Sequence, residues 1–183
     1  ANPGYHFVNW TNEAGEEVGA STEFVPEKVN GLNVAATYTA NFAEDANITI
    51  SYEAETGGSV TPGSESLAPA TGTAAGSVAT ANPGYHFVNW TNEAGEEVST
   101  SVAFVPEKVN GLNVAATYTA NFAEDAGIRI IYNRNPILGG YLSKYMDDNI
   151  APVTGTVTGS VATANPGYHF VNWTNEAGEE VST

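Results

Sequence analysis

Apolar and polar side chains alternate along residues 48–55, with Ile48, Ile50, Tyr52 and Ala54 on one side and Thr49, Ser51, Glu53 and Glu55 on the other. Such alternation predicts a half-buried β-strand. Gly57-Gly58 ends it, and Ser59-Val60-Thr61 is expected to return as its hairpin partner. Residues 62–75, rich in Pro, Gly, Ser and Thr, read as loop, with at most one helical turn near Glu65 to Ala68. Beyond them the pattern predicts a short strand over 77–80, a turn at Asn82-Pro83-Gly84 and an aromatic strand over 85–91. A hairpin tip at Asn92-Glu93-Ala94-Gly95 leads to a return over 96–99, and Pro106 stops a short strand over 102–105. After a turn at Asn110-Gly111, residues 113–124 alternate throughout, with Val114, Ala116, Tyr118, Ala120 and Phe122 inward and Thr117, Thr119 and Asn121 toward water. In the aromatic strand Val88 and Trp90 have the opposite parity from Tyr85 and Phe87. A bulge near Asn89 that swings Trp90 inward reconciles them, since an open-faced Trp would be an adhesive patch. No stretch sustains a helical period, so the fold class is mainly β, with about five strands per unit.

The pattern repeats. Residues 1–45 recur as 81–125, with differences only at Gly19/Ser99, Ala20/Thr100, Thr22/Val102 and Glu23/Ala103. Residues 76–100 recur unchanged as 159–183, while 52–69 and 132–152 have diverged. The unit is therefore about 80 residues, held out of phase: 1–45 is the C-terminal part of a repeat, 46–125 a complete repeat, and 126–183 the N-terminal part of a diverged one. A unit of this length closes its own core, so beads on a string are expected and not a continuous stack. Both ends stop inside a unit, which reads as a fragment of a longer tandem array. The phase also predicts either head-to-tail self-association as concentration rises or disordered ends, because each partial repeat lacks the strand that the other carries.

The string GYHFVNWTNEAGEEV, preceded by YEAETGGSV and followed by AATYTANF, resembles the divergent internalin-type B repeat of the Listeria–Bacteroides repeat group of bacterial cell-surface proteins. Gly57-Gly58, then Gly84, Tyr85, Phe87 and Trp90, then Ala120 and Phe122 carry the resemblance. It implies a small α+β, β-grasp-like module, secreted and carried in rows on a surface protein, with an adhesive or stalk role and no catalysis. Members of the group often have one helix after the first hairpin, where this chain has the poor helix former 62–75.

Composition narrows the partners. Five Lys+Arg stand against 21 Asp+Glu, a net charge of −16, yet charged residues make up only 14%. The acidity comes from missing cations. Too few are present to form a basic stripe, which excludes phosphate-led binding of nucleic acid and disfavours anionic membranes. No apolar run is long enough to predict a membrane-spanning helix. The absence of Cys rules out disulfides, thiolate zinc sites, iron–sulfur clusters and cysteine nucleophiles. A Thr- and Asn-rich, Lys-poor composition fits a secreted bacterial protein. Within 46–125, nine carboxylates face the single Lys108, so neighbouring repeats repel.

Candidate chemistry is sparse. His6, His86 and His169 occupy one position in three copies, with no nucleophile beside them in sequence, and read as solvent-facing strand residues. The acidic turns at 12–17, 92–97 and 175–180 lack EF-hand spacing and read as solvated hairpin tips, not calcium sites. Lys28 and Lys108, the sole lysines of their copies, lie in polar turns unsuited to a buried isopeptide cross-link, and the absence of Gln rules out a Thr–Gln ester. The sequons at Asn9, Asn89 and Asn172 fall in the aromatic strand and read as accidental. Arg129, Arg134, Tyr141, Lys144 and Tyr145 cluster in the diverged copy, as drift in a tolerant loop or, alternatively, a ligand-contact loop. No catalytic, cofactor or metal residue is assigned, and no ligand-binding residue is identified. The expected role is a non-catalytic stalk or spacer of an adhesin, secreted and attached to the cell wall through other regions. The alternative is repeats that themselves bind a host glycoprotein or glycan.

Overall fold

A computed structural model describes residues 1–183. Strands β1 (Tyr5–Thr11), β2 (Glu17–Gly19) and β3 (Thr39–Glu44) belong to the first partial repeat. The complete repeat carries β4 (Ile48–Ala54), β5 (Gly58–Thr61), β6 (Ser64–Leu67), β7 (Ser77–Ala81), β8 (Tyr85–Thr91), β9 (Glu97–Ser99), β10 (Ala103–Phe104) and β11 (Ala116–Glu124). The diverged repeat carries β12 (Ile128–Ile131), a 3-10 turn at Ile137–Gly139, then β13 (Gly140–Leu142), β14 (Met146–Ile150), β15 (Ala162–Ala164), β16 (Trp173–Thr174) and β17 (Glu180–Ser182). The protein is thus mainly β and built of several small sheets. It divides into two compact units, Ala1–Asn82 with Phe87–Phe122, and Pro83–His86 with Ala123–Thr183.

In the first unit, the complete repeat forms a five-stranded sheet in the order β6-β4-β11-β8-β9 and a three-stranded sheet in the order β10-β7-β5. The first and last long strands, β4 and β11, pair in parallel at the centre, with Tyr52 beside Tyr118 and Ala54 beside Ala120. Two expectations change here. Residues 59–61 do not return onto β4. Instead β5 pairs with β7, and β4 takes β6 as its antiparallel neighbour, Ile50 opposite Glu65 and Ile48 opposite Leu67. The segment read as loop therefore contributes an edge strand, and the complete repeat has eight strands where about five were expected. The helix implied by the family resemblance is absent from 62–75, which holds β6 and a tight turn in which the Gly72 amide donates to the Ala68 carbonyl at 3.1 Å.

Ile50, Tyr52, Leu67, Ala79, Trp90 and Ala120 form the core, with Phe87, Phe104, Tyr118 and Phe122 packed against it. Trp90 is 0% exposed. Its ring stacks on Phe104 at 5.6 Å, meets Tyr52 edge-on at 6.0 Å, and its indole N–H donates to the Val102 carbonyl at 3.4 Å. The expected bulge supplies the geometry. In the first copy the β1–β3 register slips between Phe7 and Asn9, so Val8 is the extra residue, and Trp10 then faces the small Ala40. In the complete repeat Val88 is likewise half exposed, while the Phe87 and Trp90 rings pack together at 6.2 Å. Gly58 is also required: a Cβ there would overlap the Phe122 ring. Val114 departs from expectation, because β11 starts at Ala116 and leaves Val114 exposed. In the second unit β12 pairs with β14, β13 with β15 and β16 with β17, and Tyr132 meets Trp173 edge-on at 6.1 Å, as Tyr52 meets Trp90.

Truncating so buried an aromatic removes both transfer energy and packing. Trp90→Ala should cost about 3–5 kcal/mol, measured by urea denaturation of the full chain, whereas Val88→Thr on the outer face should change stability by about 0.5 kcal/mol or less.

Candidate functional site

The recurring polar constellations lie beneath and beside the aromatic strand. One is a partly buried carboxylate on β6. Glu65 sits opposite Ile50, an inward position, and the Tyr52 hydroxyl donates to its Oε1 at 2.5 Å. The amides of Ala75 and Gly76 donate to the same carboxylate at 2.8 and 3.2 Å. Burial pushes Glu65 up, but the hydrogen bonds from Tyr52 and the two amides outweigh it and hold the group below the usual carboxylate range. The Tyr52 hydroxyl is pushed well up, first by burial and then by Glu65. The diverged repeat keeps the device with Asp147, 2% exposed and opposite Ile130. Tyr132 donates to Asp147 at 2.7 Å and the Gly159 amide at 3.0 Å, and Lys144 and Thr158 complete its shell. The Lys144 ammonium is the main reason that Asp147 is held far below its ordinary range. These are satisfied structural carboxylates that tie the β6 or β14 edge to the following strand. Sequence reading missed Glu65, because a Glu in a Ser- and Gly-rich stretch carries no sign of burial until its donors are in place.

Each histidine was expected to face solvent. His86 Nδ1 lies 2.9 Å from Asp125 Oδ1, with both side chains about half exposed (57% and 47%), and His6 and Asp45 repeat the pair at 2.9 Å. A carboxylate partner is therefore present that the sequence reading did not assign.

The acidic hairpin tips organise themselves. Asn92 Oδ1 accepts from the amides of Ala94 and Glu96, while its side-chain amide donates to Glu96. Asn89 donates to Glu97 and accepts from Asn121, so this sequon residue braces the bulge. Glu93 accepts from the Thr117 amide at 3.0 Å. The carboxylates of this turn are engaged in the hairpin and the start of β11.

The cations of the diverged repeat are likewise engaged. Arg129 donates twice to Asp148 at 2.9 Å, and Arg134 donates to the Gly140 carbonyl and lies over the Tyr145 ring at 5.7 Å. Tyr141 and Tyr145 remain exposed. A cleft of about 390 Å3 in the second unit is lined by Arg134, Tyr141, Tyr168, Phe170 and Trp173.

With this architecture in view, the family assignment follows. The family model of the divergent InlB B-repeat domain matches residues 1–46, 48–126 and 135–183. The chain belongs to that family, a repeat module of surface proteins, generally non-catalytic. No curated protein and no solved structure matches it. No helix is long and apolar enough to cross a membrane.

Because Glu65 and Asp147 are held below their ordinary range, the stability they contribute is present above about pH 4 and is lost as pH falls through their folded values. Urea midpoints should therefore drop on acidification, and Glu65→Gln should shrink that drop. At pH 7 Tyr52→Phe should cost about 1–3 kcal/mol, because it strips the donor from an inward carboxylate.

Proposed function

We propose that this chain is a spacer segment of a bacterial surface adhesin, attached to the cell wall through other regions and performing no catalysis. The observation that carries the reading is that the repeated residues are used for internal bracing. The aromatic network of Phe87, Trp90 and Phe104 in the complete repeat recurs as Phe7, Trp10 and Phe24 in the first. The hairpin tips, sequon asparagines and buried carboxylates are likewise spent on the fold, and a spacer asks only that each copy hold its shape. Family membership supports the surface location.

Two measurements test the reading. Deleting one 80-residue repeat within the parent surface protein should reduce reach from the cell and leave the intrinsic affinity of the distal region unchanged. The 183-residue chain itself should show no saturable binding to glycans or host glycoproteins at about 10 μM. Saturable binding by the repeats would replace the spacer reading with a binding one.

A further inference from the structure

In each of the first two repeats one carboxylate reaches outside its own repeat. Glu44, at the end of β3, accepts from the Ala70 amide at 2.6 Å, the Thr71 amide at 2.8 Å and the Thr71 hydroxyl at 2.7 Å. Both oxygens are used, and all these partners lie in the first unit. Asp45 fixes the strand end by donating its amide to the Gly4 carbonyl at 2.8 Å, and Gly4 sits so close to Ala70 and Leu112 that a Cβ there would crowd both. Lys108, the only cation of the complete repeat, donates to the Ala70 carbonyl at 2.6 Å.

Within the second unit the carboxylate contacts recur, with the strand end eighty positions on and the receiving turn eighty-three. Glu124 accepts from the Val153 amide at 2.5 Å, the Thr154 amide at 2.9 Å and the Thr154 hydroxyl at 2.7 Å. Asp125 donates to the Gly84 carbonyl at 2.8 Å, and a Cβ at Gly84 would run into Val153. The receiving turns read Ala68-Pro69-Ala70-Thr71-Gly72 and Ala151-Pro152-Val153-Thr154-Gly155, the same A-P-x-T-G although the residues before it have diverged. Each is closed by an amide donated from the Gly to the Ala carbonyl, at 3.1 and 3.0 Å. The amides that Glu44 and Glu124 receive are thus free of partners inside their own turn. Hydrogen bonds from Thr71 to Glu44, and from Thr154 to Glu124, hold both carboxyls below the usual range.

We infer that the glutamate closing each repeat is a clasp for the A-P-x-T-G turn of the repeat that follows, so that neighbouring repeats stabilise one another. The chemistry suits an acidic chain: backbone amides and a hydroxyl receive the carboxylate, so the joint does not depend on many cations. It also opposes the repulsion expected between repeats that each carry a large excess of carboxylates. The signature is legible in sequence as A-E-D at the end of one repeat and A-P-x-T-G within the next, and it holds whatever the array displays.

Trp10, Trp90 and Trp173 supply one indole N–H per repeat, so NMR of the full chain in urea follows each repeat separately. Glu44→Ala should lower the unfolding midpoint read at Trp90, and Thr71→Val should lower the midpoint read at Trp10, because coupling is reciprocal. Amide exchange at Ala70 and Thr71 should quicken roughly tenfold or more in Glu44→Ala. The double variant should lose less than the two single losses together. Midpoints that move only in the repeat carrying the substitution, or strictly additive losses, would overturn the clasp, as would unchanged exchange at Ala70 and Thr71.

Discussion

The complete repeat depends on getting one large ring inside a thin module. Trp90 lies on a strand whose simple alternation would turn it outward, and the identical strand of the first copy shows the remedy, an extra residue at Val8 that corrects the parity. Once Trp90 is inside, its neighbours are determined. Ala120 must be small, Phe104 must stack on the indole, and Tyr52 must approach edge-on from β4. That last contact needs β4 beside β11, which are first and last in the repeat and pair in parallel. Closure of the sheet and burial of the ring are therefore one event. The outer face follows from the same slip: in the first copy the bulge sets Asn9 opposite Asn41, and in the complete repeat Asn121 donates to Asn89 and Thr91.

A second constraint is charge. A chain with a net charge of −16 cannot neutralise its carboxylates with its own cations. The structure uses neutral donors instead. Tyr52 and two amides receive Glu65, Asn89 receives Glu97, and Thr71 with two amides receives Glu44. Such bonds are charge-assisted and remain short. Where the diverged repeat does spend a cation on a buried acid, Lys144 on Asp147, it adds to the tyrosine and glycine donors and does not replace them.

How much of this was legible varies by element. The alternation of 48–54 and 116–124 is written in the sequence because one face of each strand is apolar, and the bulge was legible because a Trp of the wrong parity demands one. The partner of β5 was not, since a short Gly-Ser-Val-Thr strand pairs wherever the sheet presents an edge, and proximity in sequence suggested β4. β6 was hidden because its inward positions are Leu67 and Glu65, and a Glu reads as solvent-facing until Tyr52 is seen to donate to it. Val114 was misplaced by extending a genuine alternation past the end of its strand. The His86–Asp125 pair and the reach of Glu44 to Thr71 join residues far apart in sequence, so no local pattern announces either.

The central claim is that the repeat closes by parallel pairing of β4 with β11 over a buried Trp90. Nuclear Overhauser contacts in the full chain test it directly. The account predicts backbone contacts in parallel register between Tyr52 and Tyr118 and between Ala54 and Ala120, with the Trp90 ring in contact with both Tyr52 and Phe104. Contacts placing 48–54 in an antiparallel hairpin with 58–61, and a Trp90 ring without neighbours, would contradict it.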